Sequence, residues 1–544
     1  MKIKILFSLI ILLASILRVW QLDKIPPSLN WDEVNLGVNG YSILKTGQDE
    51  WGQSFPLSFR AYGDYKLPGY VYFNVPSIAV LGLNEWGVRL PSALLGVGLV
   101  VLLFLILKEL SDIKTALWGA FLTATLPWAV ILSRIALEAQ LALFLTTAAF
   151  YSFLLGLRHG NFLIISGLLF GLTIFSYNSS RVVTPLLILS LSLIFWKELT
   201  SIKKVAVLSI SIFLIFFAIA LPNALLQDSS ARYRWIAILD EGAVTKINEL
   251  RGSSALPLML TPLAYNKVAY FIPEVIKNYL SHFDPDFLFL NGGSNYQFSI
   301  PGSGLIYPVL IPFLILGLWT VLKIREKWQL FAVTWLLISI IPAAITRDSP
   351  HALRSLMIIP PLIIISSLGI EWIIRVQKVW QTIIVIALLL SLYIFWQNYT
   401  GDYIKNYSWS WQYGYKQVVD FIKANYNEYD QIVVTKKYGE PHEFILFYWP
   451  WDSQIYRNDL NLIRFHQSDW YWVDRFDKFY FVNDWQIPRL EDGRWKLESG
   501  GEVPVKGRTL LITSPDNFPN GWKIIKIINF LDNKPAFNIV EHQN

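Results

Sequence analysis

Long runs of uncharged residues constrain this chain more than any other feature of its sequence. Apolar runs bounded by charged residues recur throughout the N-terminal part. A helix needs about 20 apolar residues to cross a bilayer core of about 30 Å. Only 16% of the 544 residues are charged, whereas soluble domains carry about 25%. The sequence therefore excludes a soluble globular enzyme, a disordered chain and a DNA-binding domain.

Eleven apolar runs are predicted to be membrane-spanning helices. When the N-terminus is placed in the cytoplasm, every segment that lies inside carries Lys or Arg, as the positive-inside rule requires. Three long segments, 21–87, 223–304 and 398–544, then lie outside. We therefore predict a multi-pass protein of the plasma membrane whose C-terminal domain is extracytoplasmic. The predicted spans are 4–20, 88–107, 115–132, 137–156, 162–177, 182–196, 205–222, 305–322, 329–346, 353–371 and 379–397.

Two apolar segments need separate treatment. Pro68–Gly82 is short and is interrupted by Asn74 and Pro76. Counting it as a span would reverse the sidedness of every later loop, so we predict an interfacial or re-entrant helix. Segment 4–20 lacks a small-residue cleavage site, so we predict a retained span rather than a signal peptide.

The charge balance divides the chain at about residue 397. Residues 1–397 contain 29 basic and 21 acidic residues, whereas residues 398–544 contain 17 basic and 19 acidic residues. We therefore predict a transmembrane domain over 1–397, with outside loops 21–87 and 223–304, and a soluble domain over 398–544. The net charge of +6 then reflects membrane topology and does not indicate a nucleic-acid partner.

The C-terminal domain is predicted to have an α/β fold. Its segments include an amphipathic helix, short apolar strands and a terminal hairpin across Asp532-Asn533-Lys534. These elements are the helix Tyr415–Asn425, the strands Gln431–Thr435 and Thr509–Thr513, and the hairpin strands Lys523–Phe530 and Ala536–Val540. Five tryptophans of this domain either pack in its core, which we favour, or bind glycan: Trp449, Trp451, Trp470, Trp472 and Trp485.

Two absences limit the chemistry of the chain. It has no cysteine, which excludes disulfides, Cys-ligated zinc, iron–sulfur clusters and thiol catalysis. No Gly-rich phosphate loop follows a predicted strand, so no nucleotide-binding motif is predicted.

An acidic pair, Asp32-Glu33, stands in the first outside loop shortly after the first predicted span. One interpretation is helix capping, because Asp and Glu favour the first turn of a helix and Val34–Lys45 is a plausible helix. The other is a carboxylate base that removes a proton from an acceptor hydroxyl. The spacing alone leaves both interpretations open.

The same loop carries a second pair of charges, Asp64 and Lys66, flanked by aromatic residues. A lysine at the membrane interface can simply extend its ammonium group into water beside a solvated Asp. It can also bind a lipid phosphate, because a cation stabilises the charge that develops when a phosphate leaves. Both interpretations stay open here as well.

Further ionisable residues on the predicted outer side stand at the edges of spans. Ionisable groups near membrane depth are costly and are often functional. His351 and Arg354, three residues apart, would share one face of a helix, and Arg134 and Glu138 are spaced to form an ion pair. The alternatives are structural ion pairs and nonspecific headgroup contacts. The candidate residues are Arg134, Glu138, Arg181, His351 and Arg354.

Together these motifs resemble the polytopic GT-C-type glycosyltransferases that use polyprenyl-phosphate sugars. The resemblance is strongest to the branch with the protein O-mannosyltransferases and the lipid A aminoarabinose transferases, and it covers roughly residues 1–400. The oligosaccharyltransferase signature Trp-Trp-Asp is absent. The similar segments are Asp32-Glu33, Lys66-Leu67-Pro68-Gly69-Tyr70, Arg89-Leu90-Pro91-Ser92-Ala93-Leu94 and Ser133-Arg134 with Glu138.

The resemblance implies a role for each candidate residue. Asp32 would be the catalytic base, and Glu33 would support it or orient the acceptor. Lys66 and Arg134 would bind the donor phosphate. Residues that match the family less sharply are also assigned to the donor, namely Arg181, His351 and Arg354, and the supporting residues are Asp64 and Glu138.

The implied reaction is inverting transfer of a sugar from a polyprenyl-phosphate donor to a hydroxyl of a protein, lipid or glycan. No cofactor is assigned, although a divalent metal stays open. Asp284-Pro285-Asp286 superficially resembles a metal-binding Asp-X-Asp motif. Because a proline between two aspartates more often marks a turn, we assign no metal ligand.

Two alternatives belong to other functional classes. A transporter or flippase for a lipid-linked or glycan substrate would show internal repeats and charges near the middle of its spans. We find no convincing repeat, and the candidate charges collect at one side. A noncatalytic receptor or assembly factor would leave Asp32, Lys66 and Arg134 without a purpose.

Overall fold

The structure is a computed structural model, and it describes residues 2–63, 65–225, 236–467, 470–490 and 493–542. These residues fall into two compact units. Unit 1 comprises Met1–Trp20 and Ser92–Asn398, and unit 2 comprises Gln21–Pro91 and Tyr399–Asn544. The predicted supporting residue Asp64 lies outside the described residues.

Helices account for most of unit 1 and for part of unit 2. In chain order they are α1 (Lys2–Val19), α2 (Trp31–Thr46), α3 (Pro68–Leu81), α4 (Glu85–Leu110), α5 (Ile113–Thr125), α6 (Pro127–Ser133), α7 (Glu138–Gly156), α8 (Asn161–Thr173), α9 (Ser180–Ile194), α10 (Trp196–Ser201), α11 (Lys203–Leu225), α12 (Glu241–Gly252), α13 (Thr261–Ala264), α14 (Lys267–Ser281), α15 (Ile311–Ile324), α16 (Lys327–Ala344), α17 (Ile359–Val376), α18 (Val379–Thr400), α19 (Asp402–Tyr407), α20 (Tyr415–Asn425), α21 (Pro441–Tyr448) and α22 (Ser453–Arg457).

Six helical segments of the described chain are long and apolar enough to cross a membrane, and the bent pair α5 and α6 raises the number to seven if it is one span. The chain is therefore a multi-pass membrane protein. Three further apolar helices are shorter: Asn161–Thr173, Ser180–Ile194 and Pro308–Ile324. The long segments are Glu85–Leu110, Glu138–Gly156, Lys203–Pro222, Lys327–Ala344, Leu356–Val376 and Val379–Trp411.

Each of the eleven predicted spans overlaps a helix of the structure, but the number of crossings is not confirmed. Helix α8 has 13 residues and α9 has 15, which is shorter than the length of about 20 residues that a straight crossing requires. Eleven crossings, and the sidedness that follows from them, therefore stay a prediction.

Helices α5 and α6 form one apolar segment that is broken at Pro127. The two helices differ in direction by 54°. Proline has no backbone N–H and its ring clashes with the preceding turn, so it favours the first position of a new helix. Pro127 occupies the first position of α6, and the bend follows from it.

The N-terminal part of unit 2 contains α2, a two-stranded hairpin and α3. Strands β1 (Phe59–Arg60) and β2 (Tyr65–Lys66) are antiparallel. The predicted interfacial segment Pro68–Gly82 forms the 14-residue helix α3. Its placement at the membrane interface is a prediction that its length of 14 residues favours.

A seven-stranded mixed sheet is the centre of the C-terminal part of unit 2. Its order is β10-β11-β9-β3-β6-β5-β4, and β3 is parallel to both β6 and β9. Every residue of β3 and β9 is buried, as expected for central parallel strands covered on both faces. The seven strands of this sheet are β3 (Gln431–Thr435), β4 (Ile463–Gln467), β5 (Trp470–Phe476), β6 (Phe479–Val482), β9 (Thr509–Thr513), β10 (Lys523–Asn529) and β11 (Pro535–His542). Strands β7 (Arg494–Lys496) and β8 (Glu502–Pro504) form a separate antiparallel pair.

The predicted α/β character of the C-terminal domain is confirmed. Helix α20 and strands β3 and β9 have the predicted bounds, and β10 and β11 form the predicted antiparallel hairpin. Of the five tryptophans predicted to pack in the core, four have intermediate burial and Trp485 is exposed. The core prediction is wrong for Trp485, which is 60% exposed, whereas the other four are partly buried and Trp451 packs against the buried Phe476 and Phe479. Trp411 and Trp495 of this part are fully buried.

Unit 2 joins the C-terminal domain to residues 21–91, which we predict to belong to the transmembrane domain. Hydrogen bonds connect the two parts directly. The Asn35 amide donates to Glu443 Oε1 at 2.7 Å, and Arg457 Nη1 donates to the Asp49 carbonyl at 2.8 Å. Residues 21–91 therefore fold with the C-terminal sheet domain.

Candidate functional site

Asp32 and Lys66 form an ion pair in unit 2. Lys66 Nζ lies 2.7 Å from Asp32 Oδ1. The Asp32 side chain is 33% exposed and the Lys66 side chain 6% exposed. The sequence separates the two residues by more than 30 positions, and the structure brings them together as a partly accessible carboxylate with a buried ammonium beside it.

The start of helix α2 determines where Asp32 points. Asn30 caps the helix by accepting a hydrogen bond from the Glu33 N–H at 2.9 Å, and the Asn30 N–H donates to Glu33 Oε2 at 3.1 Å. This reciprocal capping box fixes the first turn. Successive residues of a helix are rotated by about 100°, so Asp32 and Glu33 face different surroundings.

Glu33 is fully buried and forms a two-pronged ion pair with Arg89. The Arg89 Nε lies 2.8 Å from Glu33 Oε1, and its Nη2 lies 2.9 Å from Glu33 Oε2. Arg89 also donates to the backbone carbonyls of Leu22, Pro26 and Ser28. The capping interpretation therefore applies to Glu33, whose carboxylate holds the preceding loop through Arg89.

Aromatic rings lie next to the ion pair. The centroid of Trp31 is 5.5 Å from that of Tyr62 and 6.3 Å from that of Trp470. Trp470 stacks on Trp472 at 5.5 Å, and Lys66 Nζ is 6.0 Å from the Tyr62 ring. Flat apolar rings beside a carboxylate and a cation can stack on the apolar face of a sugar while polar groups bind its hydroxyls.

Gly63 permits the close approach of one of these rings. A Cβ atom at Gly63 would lie 2.7 Å from the Trp470 ring, closer than any van der Waals contact allows. The hairpin that carries Lys66 can therefore contact the C-terminal domain at Trp470 only because this position has no side chain.

Arg134 is buried in unit 1, where it contacts the end of helix α1. Its Nη1 donates to the Leu17 carbonyl at 2.7 Å and its Nη2 to the Trp20 carbonyl at 2.8 Å. The last carbonyls of a helix have no partner within the helix, and cations near them are favourable. Arg134 thus has a structural role as a C-terminal cap of α1. Glu138, also predicted, is the first residue of α7 and is 9% exposed.

His351 and Arg354 lie together in a turn before α17 rather than on a helix. The Arg354 N–H donates to His351 Nδ1 at 3.3 Å. The Arg354 guanidinium donates to Thr346 Oγ1 at 2.9 Å and to the Arg347 carbonyl at 3.0 Å. The two predicted residues are thus neighbours, although the predicted helical geometry is wrong at this position.

His282 connects this turn to helix α14. Its Nδ1 lies 2.7 Å from the Asn278 carbonyl, and its Nε2 lies 3.2 Å from the His351 backbone N–H. These contacts require an imidazole that donates at Nδ1 and accepts at Nε2, which is the neutral form. Burial lowers the pKa of His282 to about 4, which agrees with that form.

The remaining predicted positions are Arg181 and the motif Asp284-Pro285-Asp286. Arg181 is the second residue of α9 and is partly buried. In Asp284-Pro285-Asp286, the Asp286 N–H donates to Asp284 Oδ1 at 2.9 Å. Asp286 Oδ1 accepts from the Asn291 amide at 2.6 Å. Asp286 begins the π-helical segment Asp286–Leu290, and the absence of a metal at this motif stays a prediction.

Some important residues were not predicted as part of the site. Arg89 entered only as part of a similar segment, and its buried position between Glu33 and three carbonyls has no local signature. Arg18 is also fully buried and donates to the carbonyls of Thr123 and Ala124 at the end of α5. The sequence indicates a special role for Arg18 and Arg89 only in that each is a charged residue inside a predicted membrane span.

Comparison with known proteins identifies the architecture. Residues 66–225 match the family described as dolichyl-phosphate-mannose-protein mannosyltransferase. No curated protein matches the chain in sequence. The structure is similar to apo ArnT from Cupriavidus metallidurans, with a TM-score of 0.55, 12% identity, and coverage of 99% of this chain and 97% of ArnT. The chain has the GT-C fold.

Other structures with this fold support the same assignment. ArnT from the same organism bound to undecaprenyl phosphate matches with a TM-score of 0.55 at 12% identity over 99% of this chain and 97% of ArnT. The oligosaccharyltransferase of Archaeoglobus fulgidus in complex with zinc and sulfate matches with a TM-score of 0.51 at 13% identity over 81% of this chain. The matched region spans 61% of the length of that oligosaccharyltransferase.

The predicted resemblance to GT-C-type enzymes is therefore confirmed at the level of the fold. The helical part followed by a C-terminal sheet domain is common to this chain and its structural neighbours. The sequence match to the mannosyltransferase family begins at Lys66 and also includes Arg89, Arg134, Glu138 and Arg181.

Proposed function

We propose that the chain is a membrane glycosyltransferase that moves a sugar from a polyprenyl-phosphate donor to an acceptor hydroxyl, with inversion at the anomeric carbon. The observation that carries this proposal is the Asp32–Lys66 ion pair, with its 2.7 Å contact and its surrounding aromatic rings, on a GT-C fold. The solved ArnT complex contains undecaprenyl phosphate, and an archaeal oligosaccharyltransferase complex contains dolichol-phosphate with an inhibitory peptide.

Asp32 is the proposed base. Its carboxylate is partly accessible, whereas the neighbouring Glu33 is enclosed. The acceptor hydroxyl attacks the anomeric carbon on the face opposite the phosphate, its oxygen forms the new glycosidic bond, and its proton passes to Asp32. The bond from the anomeric carbon to the phosphate oxygen breaks, and polyprenyl phosphate leaves. General-base catalysis of this kind contributes about 10²- to 10⁴-fold in rate.

Lys66 is the proposed contact of the donor phosphate. The phosphate gains negative charge as the bond to the sugar breaks, and a fixed cation in a poorly hydrated position stabilises that charge. Lys66 is buried and held by Asp32, so its ammonium group has little freedom to reorganise. In this proposal the same ion pair positions both the base and the cation.

The other candidate residues retain proposed roles of their own. Arg134, Arg181, His351 and Arg354 are proposed to serve donor binding. Glu33 is assigned a positioning role, because its carboxylate binds Arg89 and the start of α2. The supporting roles of Asp64 and Glu138 follow from the resemblance. The proposed acceptor is a protein, lipid or glycan on the extracytoplasmic face. The proposed topology of the chain is eleven membrane crossings with a cytoplasmic N-terminus.

A label-transfer assay tests the function. Membranes that contain the protein are incubated with radiolabelled polyprenyl-phosphate hexose or pentose and an extract of envelope acceptors. We expect transfer by the wild type and a decrease of at least about 100-fold for Asp32→Asn. Lys66→Met is also expected to decrease transfer, because the leaving phosphate loses its cation. Asp23→Asn, a change of the same kind in the same loop, is the matched control and should transfer normally.

Three outcomes would contradict the proposal. Equal transfer by wild type and Asp32→Asn would remove Asp32 as the base. Retention of the anomeric configuration in the product would exclude direct displacement. Movement of a lipid-linked substrate across the membrane without any label transfer would favour the transporter.

A further inference from the structure

A buried cluster of carboxylates and one imidazole lies at the junction of the first outside loop and the C-terminal domain, within unit 2. Its members are Glu50, after helix α2, and His442 and Glu443, in the first turn of α21. One ligand-type atom from each of the three lies within 4.8 Å of the others. Their exposures are 4%, 5% and 1%, so bulk water does not screen these charges.

A carboxylate lies near each ring nitrogen of His442. Its Nε2 lies 3.9 Å from Glu50 Oε1, and its Nδ1 lies 3.5 Å from Glu440 Oε2. Histidines that bind a metal through one ring nitrogen commonly donate the other N–H to a carboxylate. Glu440 has the position of that second carboxylate, and it is 1% exposed.

Glu443 supplies an independent indication of a ligand. Its Oε1 accepts a hydrogen bond from the Asn35 amide at 2.7 Å. Its Oε2 is buried and accepts no hydrogen bond from an N–H or hydroxyl group among the residues that the structure describes, so that a proton shared with the Glu50 carboxyl group is the alternative to a bound cation. A buried carboxylate oxygen without a hydrogen-bond donor is destabilising in general, and the ligand atoms of Glu50 and His442 lie close to this carboxylate.

The charges of the cluster do not balance. Three buried carboxylates, Glu50, Glu440 and Glu443, lie near one another, and Arg464 Nη2 lies 3.4 Å from Glu50 Oε1. The nearby Lys436 is engaged by Asp474 and Glu498. One guanidinium leaves an excess of negative charge in a buried place, which requires either bound protons or a cation.

We propose that Glu50, His442 and Glu443 bind one divalent transition-metal ion of the Zn²⁺ class, with Glu440 orienting the imidazole. One nitrogen and two carboxylate oxygens are a donor set that Zn²⁺ accepts in tetrahedral geometry with one further ligand. The ion would connect the loop that follows α2 to helix α21. It would thereby hold the segment that carries Asp32 against the C-terminal domain. This proposal does not depend on the reaction that the protein catalyses.

Metal titration of the purified full-length protein tests the proposal. The protein in detergent is treated with a chelator, the chelator is removed, and Co²⁺ is added while its visible absorption is recorded. We expect one equivalent to bind and Zn²⁺ to displace it. X-ray absorption of the Zn²⁺-loaded wild type is expected to show one imidazole and otherwise oxygen ligands, and this measurement requires no variant to fold.

Variants then locate the site. His442→Gln and Glu443→Gln are each expected to weaken binding by at least about 100-fold, and Glu440→Gln by about 10- to 100-fold. His466→Gln, which removes an exposed histidine of the same domain, is the matched control and should bind like the wild type. Chelation should lower the unfolding temperature of the wild type and leave those of His442→Gln and Glu443→Gln unchanged.

Two results would overturn the proposal. Failure of the wild type to bind one equivalent would mean that shared protons neutralise the cluster. Binding by His442→Gln as tight as that of the wild type would mean that the ion binds elsewhere as an adventitious ion only.

Discussion

At the scale of single residues, Asp32 and Glu33 are adjacent carboxylates with different surroundings. Asp32 is partly exposed beside Lys66, and Glu33 is enclosed by Arg89 and the cap of α2. One step along a helix rotates a side chain by about 100°, which accounts for the separation. The same substitution at the two positions should therefore have different consequences.

Glu33→Gln should destabilise unit 2 strongly. It would leave the buried Arg89 guanidinium without its counter-charge, and breaking a buried ion pair at one end costs about 3–5 kcal/mol. Asp32→Asn is the matched comparison and should destabilise the protein less, because the Asp32 side chain is 33% exposed whereas both members of the Glu33–Arg89 pair are fully buried. Thermal unfolding in detergent measures both. Equal unfolding temperatures of the two variants would contradict the structural role of Glu33.

The sequence alone could not assign these roles. The acidic pair predicted both a cap and a base, and the structure contains a cap at Glu33 and an accessible carboxylate at Asp32. The deciding partners, Arg89 and Lys66, are distant in sequence, and nothing in the local pattern indicates which carboxylate each of them binds.

At the scale of elements, local patterns predicted helices and strands well and their connections poorly. The predicted helix and two predicted central strands of the C-terminal domain have the observed bounds, because hydrophobic periodicity is a local property. The turn around His351 and Arg354 was predicted as helix. In this turn the His351 N–H donates to His282 Nε2 and the Arg354 guanidinium donates to Thr346 Oγ1, in place of helical hydrogen bonds. The spacing of residues in the sequence does not reveal such contacts.

Acid should weaken the connection between α14 and the turn before α17. The folded-state pKa of His282 is lowered to about 4 from an ordinary value near 6.5. Because the folded state favours the neutral imidazole, the contribution of His282 to the free energy of unfolding is fully present above pH ~6.5. This contribution is lost as the pH falls toward ~4. We expect a loss of about 2 kcal/mol between pH 7 and pH 5.

Unfolding measured as a function of pH checks this expectation. His282→Gln should show a flatter profile between pH 7 and pH 5, because Gln does not titrate. His159→Gln, at an exposed histidine, should retain the wild-type profile. A steep profile that persists in His282→Gln would assign the acid sensitivity to other groups.

At the scale of the whole molecule, two segments that are far apart in the chain form one compact unit. Residues 21–91 and 399–544 share hydrogen bonds such as that between Asn35 and Glu443. The charge balance predicts a domain boundary near residue 398, and the second segment of unit 2 begins at Tyr399. The charge balance did not indicate the association of the first loop with the C-terminal domain, because pairing over about 400 residues leaves no local pattern.

Removal of residues 399–544 should abolish transfer although Asp32 and Lys66 remain in the chain. The first loop would lose the partners of Asn35, Asp49 and Trp31, and the ion pair would lose its fixed position. The label-transfer assay and limited proteolysis of the loop measure the effect. The full-length chain with the same tag is the control, and full activity of the truncated protein would show that the loop folds alone.

The predicted topology can be tested with single cysteine substitutions, because the chain has no native cysteine that would react with the label. Leu460 is fully exposed in the C-terminal domain. Leu460→Cys should react with a membrane-impermeant maleimide in intact cells, whereas Lys323→Cys, on a predicted inside loop, should react after permeabilisation. The reverse pattern would contradict an extracytoplasmic C-terminal domain.

The two segments of unit 2, 21–91 and 399–544, are synthesised at different times during translation. The carboxylate that binds Asn35 is made 408 residues later. At about 5–20 residues per second, the first loop is exposed for roughly 20–80 s before Glu443 is synthesised. During that interval the segment with the proposed base lacks its C-terminal partners, so a nascent chain interrupted before its C-terminal domain is expected to be inactive.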